Sequence, residues 1–252
     1  MKKDILNLNL ILNLLLFLPI WLQAQEAGVI HFTETVKLQI ELDEGSRPMM
    51  NNLPQSHSVK KILLFKGKES LYKNDTGNED LDVSNSEGGG EIRMVMRNPE
   101  SILYTDLAAN SIVHSQEFFG KQFLITGAPQ KRSWKITSEQ KTLLDMTCQK
   151  AVLQDTSMQV VAWFTTQIPA AFGPNGYSGL PGAILSMELD KGIRTITATK
   201  IEFREVSPEE IVKPDKGKKV STEEFEKIRK EKMAEMGAVN GGGGTMKIMI
   251  RN

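Results

Sequence analysis

Cysteine occurs once in 252 residues, at Cys148, so no disulfide can form within the chain. Histidine is nearly as scarce. His31, His57 and His114 stand far apart, with no two-histidine helical spacing and no cysteine partner, which leaves no zinc pattern. Neither sign of charge dominates: Lys and Arg number 31, Asp and Glu 31, and no basic cluster breaks the balance. Nucleic acid therefore finds no electrostatic footprint. Aromatic residues make up only 6% of the chain, so the group Trp163, Phe164, Phe172 and Tyr177 stands out as a local concentration.

Long apolar runs are missing as well, except at the N-terminus. Lys2 and Lys3 precede an apolar stretch from Leu10 to Leu22, broken by Asn13 and Pro19 and followed by the small Ala24. That layout predicts a secretory signal peptide over residues 1–24, cleaved after Ala24. Its uninterrupted apolar part is shorter than the roughly 20 residues a membrane span requires. No cysteine lies at the cleavage point to carry a lipid, and no transmembrane segment is expected after cleavage. The expectation is an exported protein, in the periplasm, at the outer membrane or secreted.

What the chain does have is strand pattern. In VIHFTETVKLQIEL, Ile30, Phe32, Val36, Leu38, Ile40 and Leu42 alternate with polar residues, Glu34 being the exception. Similar runs begin at Lys60, Glu91, Ser101, Ser111, Lys121, Ser133, Leu143, Met158 and Ala183, and GIRTITATKIEF places Ile193, Thr195, Thr197, Thr199, Ile201 and Phe203 on one face. Short turns such as Asp190-Lys191-Gly192 join them and no helix intervenes, so the strands are expected to be antiparallel. About ten such strands are too many to stay flat. The fold class expected is mainly β: a large curved antiparallel sheet or open half-barrel over residues 25–206, with a C-terminal helix and flexible tail. Residues 43–60 and 73–90 are polar and rich in turn formers, and are expected as surface loops.

After Val206 the composition shifts. Residues 207–220 form a charged linker, and 221–236 an amphipathic helix in which Ser221 and Glu224 make a capping box ahead of Phe225, Ile228, Met233 and Met236. Residues 237–252 read as a Gly-rich linker with an extra strand. GGGEIRMVMRN (88–98) and GGGGTMKIMIRN (241–252) share three glycines, a final Arg-Asn and an alternating apolar face. Either these are two unrelated edge strands, or the tail adds a strand beside 91–97, in cis or from a neighbouring chain.

Catalytic patterns fail on spacing. Gly176-Tyr177-Ser178-Gly179-Leu180 misses the second glycine of a nucleophile elbow by one position, and a strand rather than a helix follows. Cys148 sits among apolar residues and is expected as a buried thiol. Among the Met residues, 12 in all, Met246 and Met249 would point to opposite faces of a strand, which breaks that pair as a copper site, and adaptable packing is the account taken for the rest. No enzyme activity, cofactor or metal is expected. Leu180-Pro181-Gly182-Ala183 predicts a type II turn, with Pro second and Gly third. The connection PAAFGPNGYSGLPG is long for a hairpin, which marks it as a candidate for function, with Phe172 and Tyr177 either presented for binding or folded over one end of the sheet.

These residues also carry a resemblance. Trp134, Lys141, Cys148-Gln149-Lys150-Ala151, Ala162-Trp163-Phe164-Thr165, Ile168-Pro169, Gly173-Pro174 and Gly179-Leu180-Pro181-Gly182, in this order over roughly 130–190, resemble the GLPGLI family of exported Bacteroidetes proteins. Ala183 departs from that pattern, where the family name calls for Leu. The resemblance implies an exported β-rich protein without a catalytic residue to carry over. By analogy with periplasmic carrier folds, the leading expectation is a hydrophobic ligand held in the curved sheet, contacted by Trp163, Phe164, Phe172, Tyr177, Gly179, Leu180, Pro181 and Gly182. The alternative is docking on an outer-membrane or envelope protein through the GLPG loop and C-terminal strand. The oligomeric state is not legible.

Overall fold

The computed structural model describes residues 26–38, 54–85, 91–154, 159–240 and 246–251. The signal-peptide reading and most of the first expected loop lie outside them. The strands are β1 (Ala27–Lys37), β2 (Ser56–Lys66), β3 (Glu69–Asn74), β4 (Leu81–Asn85), β5 (Glu91–Met96), β6 (Ser101–Asp106), β7 (Ser111–Phe118) and β8 (Lys121–Gly127). There follow β9 (Trp134–Leu143), β10 (Met146–Leu153), β11 (Val160–Thr165), β12 (Ala183–Leu189), β13 (Arg194–Glu202), β14 (Lys218–Ser221), the helix α1 (Thr222–Asn240) and β15 (Met246–Arg251). The protein is mainly β, as its alternation predicts.

Twelve strands form one sheet in the order β14-β8-β7-β6-β3-β2-β1-β13-β12-β11-β10-β9, and β15-β5-β4 form a second, small one. Pairing is antiparallel throughout the large sheet except between β14 and β8. Two meanders, β1-β2-β3-β6-β7-β8 and β9 to β13, are joined where β1 pairs with β13. This connectivity forces curvature. β8 and β9 are ten steps apart in the sheet, about 48 Å if it lay flat at 4.8 Å per strand, yet the connector 128–133 reaches only about 25 Å when fully extended. The sheet must curl, and since β14 and β9 do not pair it stays an open half-barrel.

Alternation along each strand gives the sheet two buried faces. On β2, Leu63 and Phe65 join the inner cluster with Ile30, Phe32, Tyr72, Phe164 and Ile184, while Leu64 joins an outer cluster with Val29, Leu71, Tyr104 and Val206. The outer face is covered by the strap 204–216. Val206 is fully buried, its carbonyl accepts from Lys66 Nζ (3.0 Å), and the Lys216 carbonyl accepts from Ser115 Oγ (3.0 Å). The strap ends in β14, and α1 then closes that edge by packing Phe225 on Phe123, Ile125 and Val220. Its capping box forms: Ser221 N–H donates to Glu224 Oε2 (2.7 Å) and Glu224 N–H to Ser221 Oγ (3.1 Å). From Arg229 to Glu235 the helix is exposed, Met233 included.

Several expectations need correction. The run from Leu143 is not one strand: Leu144 and Asp145 adopt φ of 47° and 61° and turn the chain between β9 and β10, which side-chain alternation could not show. β2 starts at Ser56, inside the first expected loop, because Ser56 and His57 still find partners in Lys37 and Val36. The second expected loop contains β4, whose polar residues are held by β5 through the ladder and an Arg93–Asp82 ion pair. On β13, Ile196 and Ala198 join the inner cluster and Ile201 packs half-buried against it, while the flanking Ile193 and Phe203 are exposed. The tail strand β15 pairs with β5, Ile248 opposite Met94.

Candidate functional site: the loop between β11 and β12

Thr165 of β11 and Ala183 of β12 are paired, so residues 166–182 form one long hairpin loop whose ends meet. The loop does not stand out from the sheet. It crosses the concave face and touches β3 and β6, on the far meander, through the short helical turn Pro174–Gly176. Ile168, Ala170, Phe172 and Leu180 all join the inner cluster. Phe172 is 3% exposed and Leu180 2%, so these two expected contact residues are core.

Glycine makes the crossing sterically feasible at two points. Gly182 has φ +156°, and a Cβ there would collide with the Thr165 carbonyl. Gly179, at φ +93°, holds a left-handed bend that other residues resist. The corner is tighter than a type II turn. Gly182 N–H donates to the Leu180 carbonyl (2.8 Å), closing a three-residue γ-type turn around Pro181, and Ala183 N–H goes to Ile168 O (3.0 Å) instead of back to Leu180. The expected i to i+3 bond is absent because a nonlocal acceptor takes its donor.

Side chains from the β8–β9 connector and β9 clamp the loop from its rim. Trp134 Nε1 donates to the Ser178 carbonyl (2.9 Å) and Arg132 Nη1 to the Gly176 carbonyl (2.9 Å). The Arg132 guanidinium also lies 4.1 Å from the centre of the Tyr177 ring, and Tyr177 tilts against Trp134 at 6.3 Å. Burial pulls the Arg132 pKa down, with Tyr177 opposing. Arg132 was not legible as a site residue, because a lone arginine in a connector has no spacing to mark it. Trp163 is half-buried with Lys141 Nζ 4.3 Å over its ring. Phe164 is fully buried beside it in sequence. The structure thus brings Phe164, Phe172, Leu180 and Gly182 into the core, sets Trp163 and Tyr177 at its margin, and leaves Gly179 and Pro181 exposed.

The inner cluster and the loop anchors pack together on the concave face. The cleft beside the loop, lined by Ser70, Tyr72, Leu103, Thr105, Phe172 and Tyr177, has no room for a water molecule. Tyr72 is buried there, its hydroxyl finds no partner among the described residues, and burial raises its pKa well above the usual range. An open groove of about 360 Å³ lies on the other face around Thr33, Ser58, Lys60, Asn78, Asp80 and Leu81. Among the described residues, no group of three His, Cys, Asp or Glu could hold a metal. Cys148 is fully buried, and that burial pushes its thiol pKa up against the pull of Lys141. No helix of the described residues is long and apolar enough to cross a membrane.

A family model described as a protein of unknown function (Porph_ging) matches residues 153–186, the segment that holds β11, the loop and the start of β12. Two solved structures, of PNGF-II in space groups P21 and C2, resemble the chain with TM-scores of 0.53 and 0.51 at 13% identity. They cover 81% and 80% of this chain, which spans about a third of those chains, 33% and 32%. At that identity the likeness is one of fold. No curated protein matches the chain.

Proposed function

We propose that this protein is an exported, non-catalytic docking module of the cell envelope, which meets a partner protein through the outer surface of the 166–182 loop. The observation that carries this reading is the loop itself: its anchors fill the interior of the half-barrel and its tip is fixed by Trp134 and Arg132. An acyl chain entering the concave face would have to displace Phe172 and Leu180, so the geometry favours docking over carriage. A rigid tip with Asn175, Gly179 and Pro181 exposed loses little entropy when a partner binds.

Three further points support the reading. The family match spans the loop, which is consistent with the GLPGLI resemblance. The fold makes up one part of the longer PNGF-II chains, as a module would. Export rests on the expected signal peptide, and a non-catalytic role on the burial of Cys148 and on the missing elbow at Ser178.

Photo-reactive residues placed at Asn175, Pro181 and Val212 in cells test this. Asn175 and Pro181 should yield adducts to the same envelope protein, Val212 on the opposite side none, and Arg132→Ala should abolish the adducts while the fold persists. Equal adducts from all three positions, or lipid in place of protein, would refute docking through the loop.

A further inference from the structure

The tail strand does not pair with an arbitrary edge. Aligned on their glycine triplets, β15 and β5 run in step, so that Met246 corresponds to Ile92, Ile248 to Met94, Ile250 to Met96, and Arg251 to Arg97. In the structure the two strands are antiparallel, with Met246 opposite Met96, Ile248 opposite Met94, Ile250 opposite Ile92 and Arg251 opposite Glu91. Replacing each tail residue by its β5 counterpart gives a register with two-fold symmetry: Met94 faces Met94 of a second copy, Ile92 faces Met96, and Arg97 faces Glu91. That is an isologous pairing, the same patch used by both copies.

We infer that β15 is an internal stand-in for a second copy of β5, and that it caps an edge through which two copies of this chain would otherwise pair. Charge fits the second copy as well as it fits the tail. Two Glu91–Arg97 pairs, one at each end, would face one another across the interface, and Arg93 would face the apolar Val95. Opposite charges in facing positions favour such a register and like charges oppose it. Only one edge of β5 is in question, since β4 holds the other with Val83 opposite Met94 and the Arg93–Asp82 ion pair. The cap is also attached lightly. α1, which leads to it, is anchored through Phe225 and Ile228, and beyond Ile228 its described residues are exposed.

The test compares the mature chain with the same chain ended after Asn240, by sedimentation at matched concentrations with circular dichroism as a check on folding. The full chain should be monomeric and the shortened chain a folded dimer. A synthetic peptide of residues 245–252 should return the dimer to monomer. In the shortened chain, Arg97→Glu should weaken the dimer at least tenfold, and adding Glu91→Arg should restore it. A shortened chain that stays monomeric, or a dimer indifferent to the peptide and to Arg97→Glu, overturns the inference. So does a full chain that is already dimeric, or a shortened chain that fails to fold, since β15 would then be an interface or a structural strand and not a cap.

Discussion

Two glycine-rich regions of this chain behave in opposite ways. In the loop 166–182, Gly179 and Gly182 let the backbone bend and pass close to its neighbours, and the result is a plug in which Ile168, Ala170, Phe172 and Leu180 reach the core. At the C-terminus, glycines follow a helix held by its first two turns and precede a strand that lies on a separate small sheet. The difference is whether apolar residues sit between the glycines. Phe172 and Leu180 give the loop something to bury, whereas residues 241–244 are glycine alone. Glycine permits close approach, but burial of its neighbours decides whether that permission is used.

The comparison can be broken from the loop side with the largest effects. Gly182→Ala forces a Cβ into the Thr165 carbonyl at a φ of +156° and should cost more than about 4 kcal/mol, read as loss of folded protein in a denaturant titration. Leu180→Ala removes a side chain that is 2% exposed and should cost about 2–5 kcal/mol in the same assay.

A pH effect comes next. His114, bonded through Nε2 to Ser101 Oγ (2.9 Å), has its pKa lowered from 6.5 to about 4 by burial and, secondarily, by Lys61. Below pH 6.5 the unfolded imidazole binds a proton that the folded one refuses until about pH 4. Stability should therefore fall as pH drops through that window, by at most about 3 kcal/mol, since His114 keeps some solvent access. His114→Gln should flatten the slope of melting temperature against pH between 6.5 and 4.

Smaller still is the clamp. Trp134→Phe keeps the ring and removes the bond to the Ser178 carbonyl, for about 1 kcal/mol and a melting temperature about 2–4 °C lower. On α1, Met233→Ala should change stability by less than about 0.5 kcal/mol, because Met233 is already exposed. An α1 substitution as costly as Leu180→Ala would erase the distinction between the two regions.

The same distinction explains what was legible. Strand β12 appears where AILSMEL predicts it, and the capping box at Ser221 and Glu224 forms, because both depend on residues within a few positions of one another. β4 hid in a polar stretch, since its partners and not its side chains make it a strand. The turn at Pro181 differed from expectation because Ile168 takes the Ala183 N–H. The burial of Phe172 depends on the sheet curling until β3 and β6 face β11. The short 128–133 connector implies that curl only once the strand order is known. Chemistry-bearing residues such as Arg132 gained meaning in the same step, through contacts with residues 176 and 177.

The proposal at the centre of this account is that the loop, packed into the half-barrel, makes it a docking module and not a carrier of a hydrophobic ligand. Native mass spectrometry of protein released from its own envelope under non-denaturing conditions tests that most directly. The account predicts the mass of the chain alone, or of the chain with a protein partner, and a chain bearing a noncovalent hydrophobic molecule would contradict it.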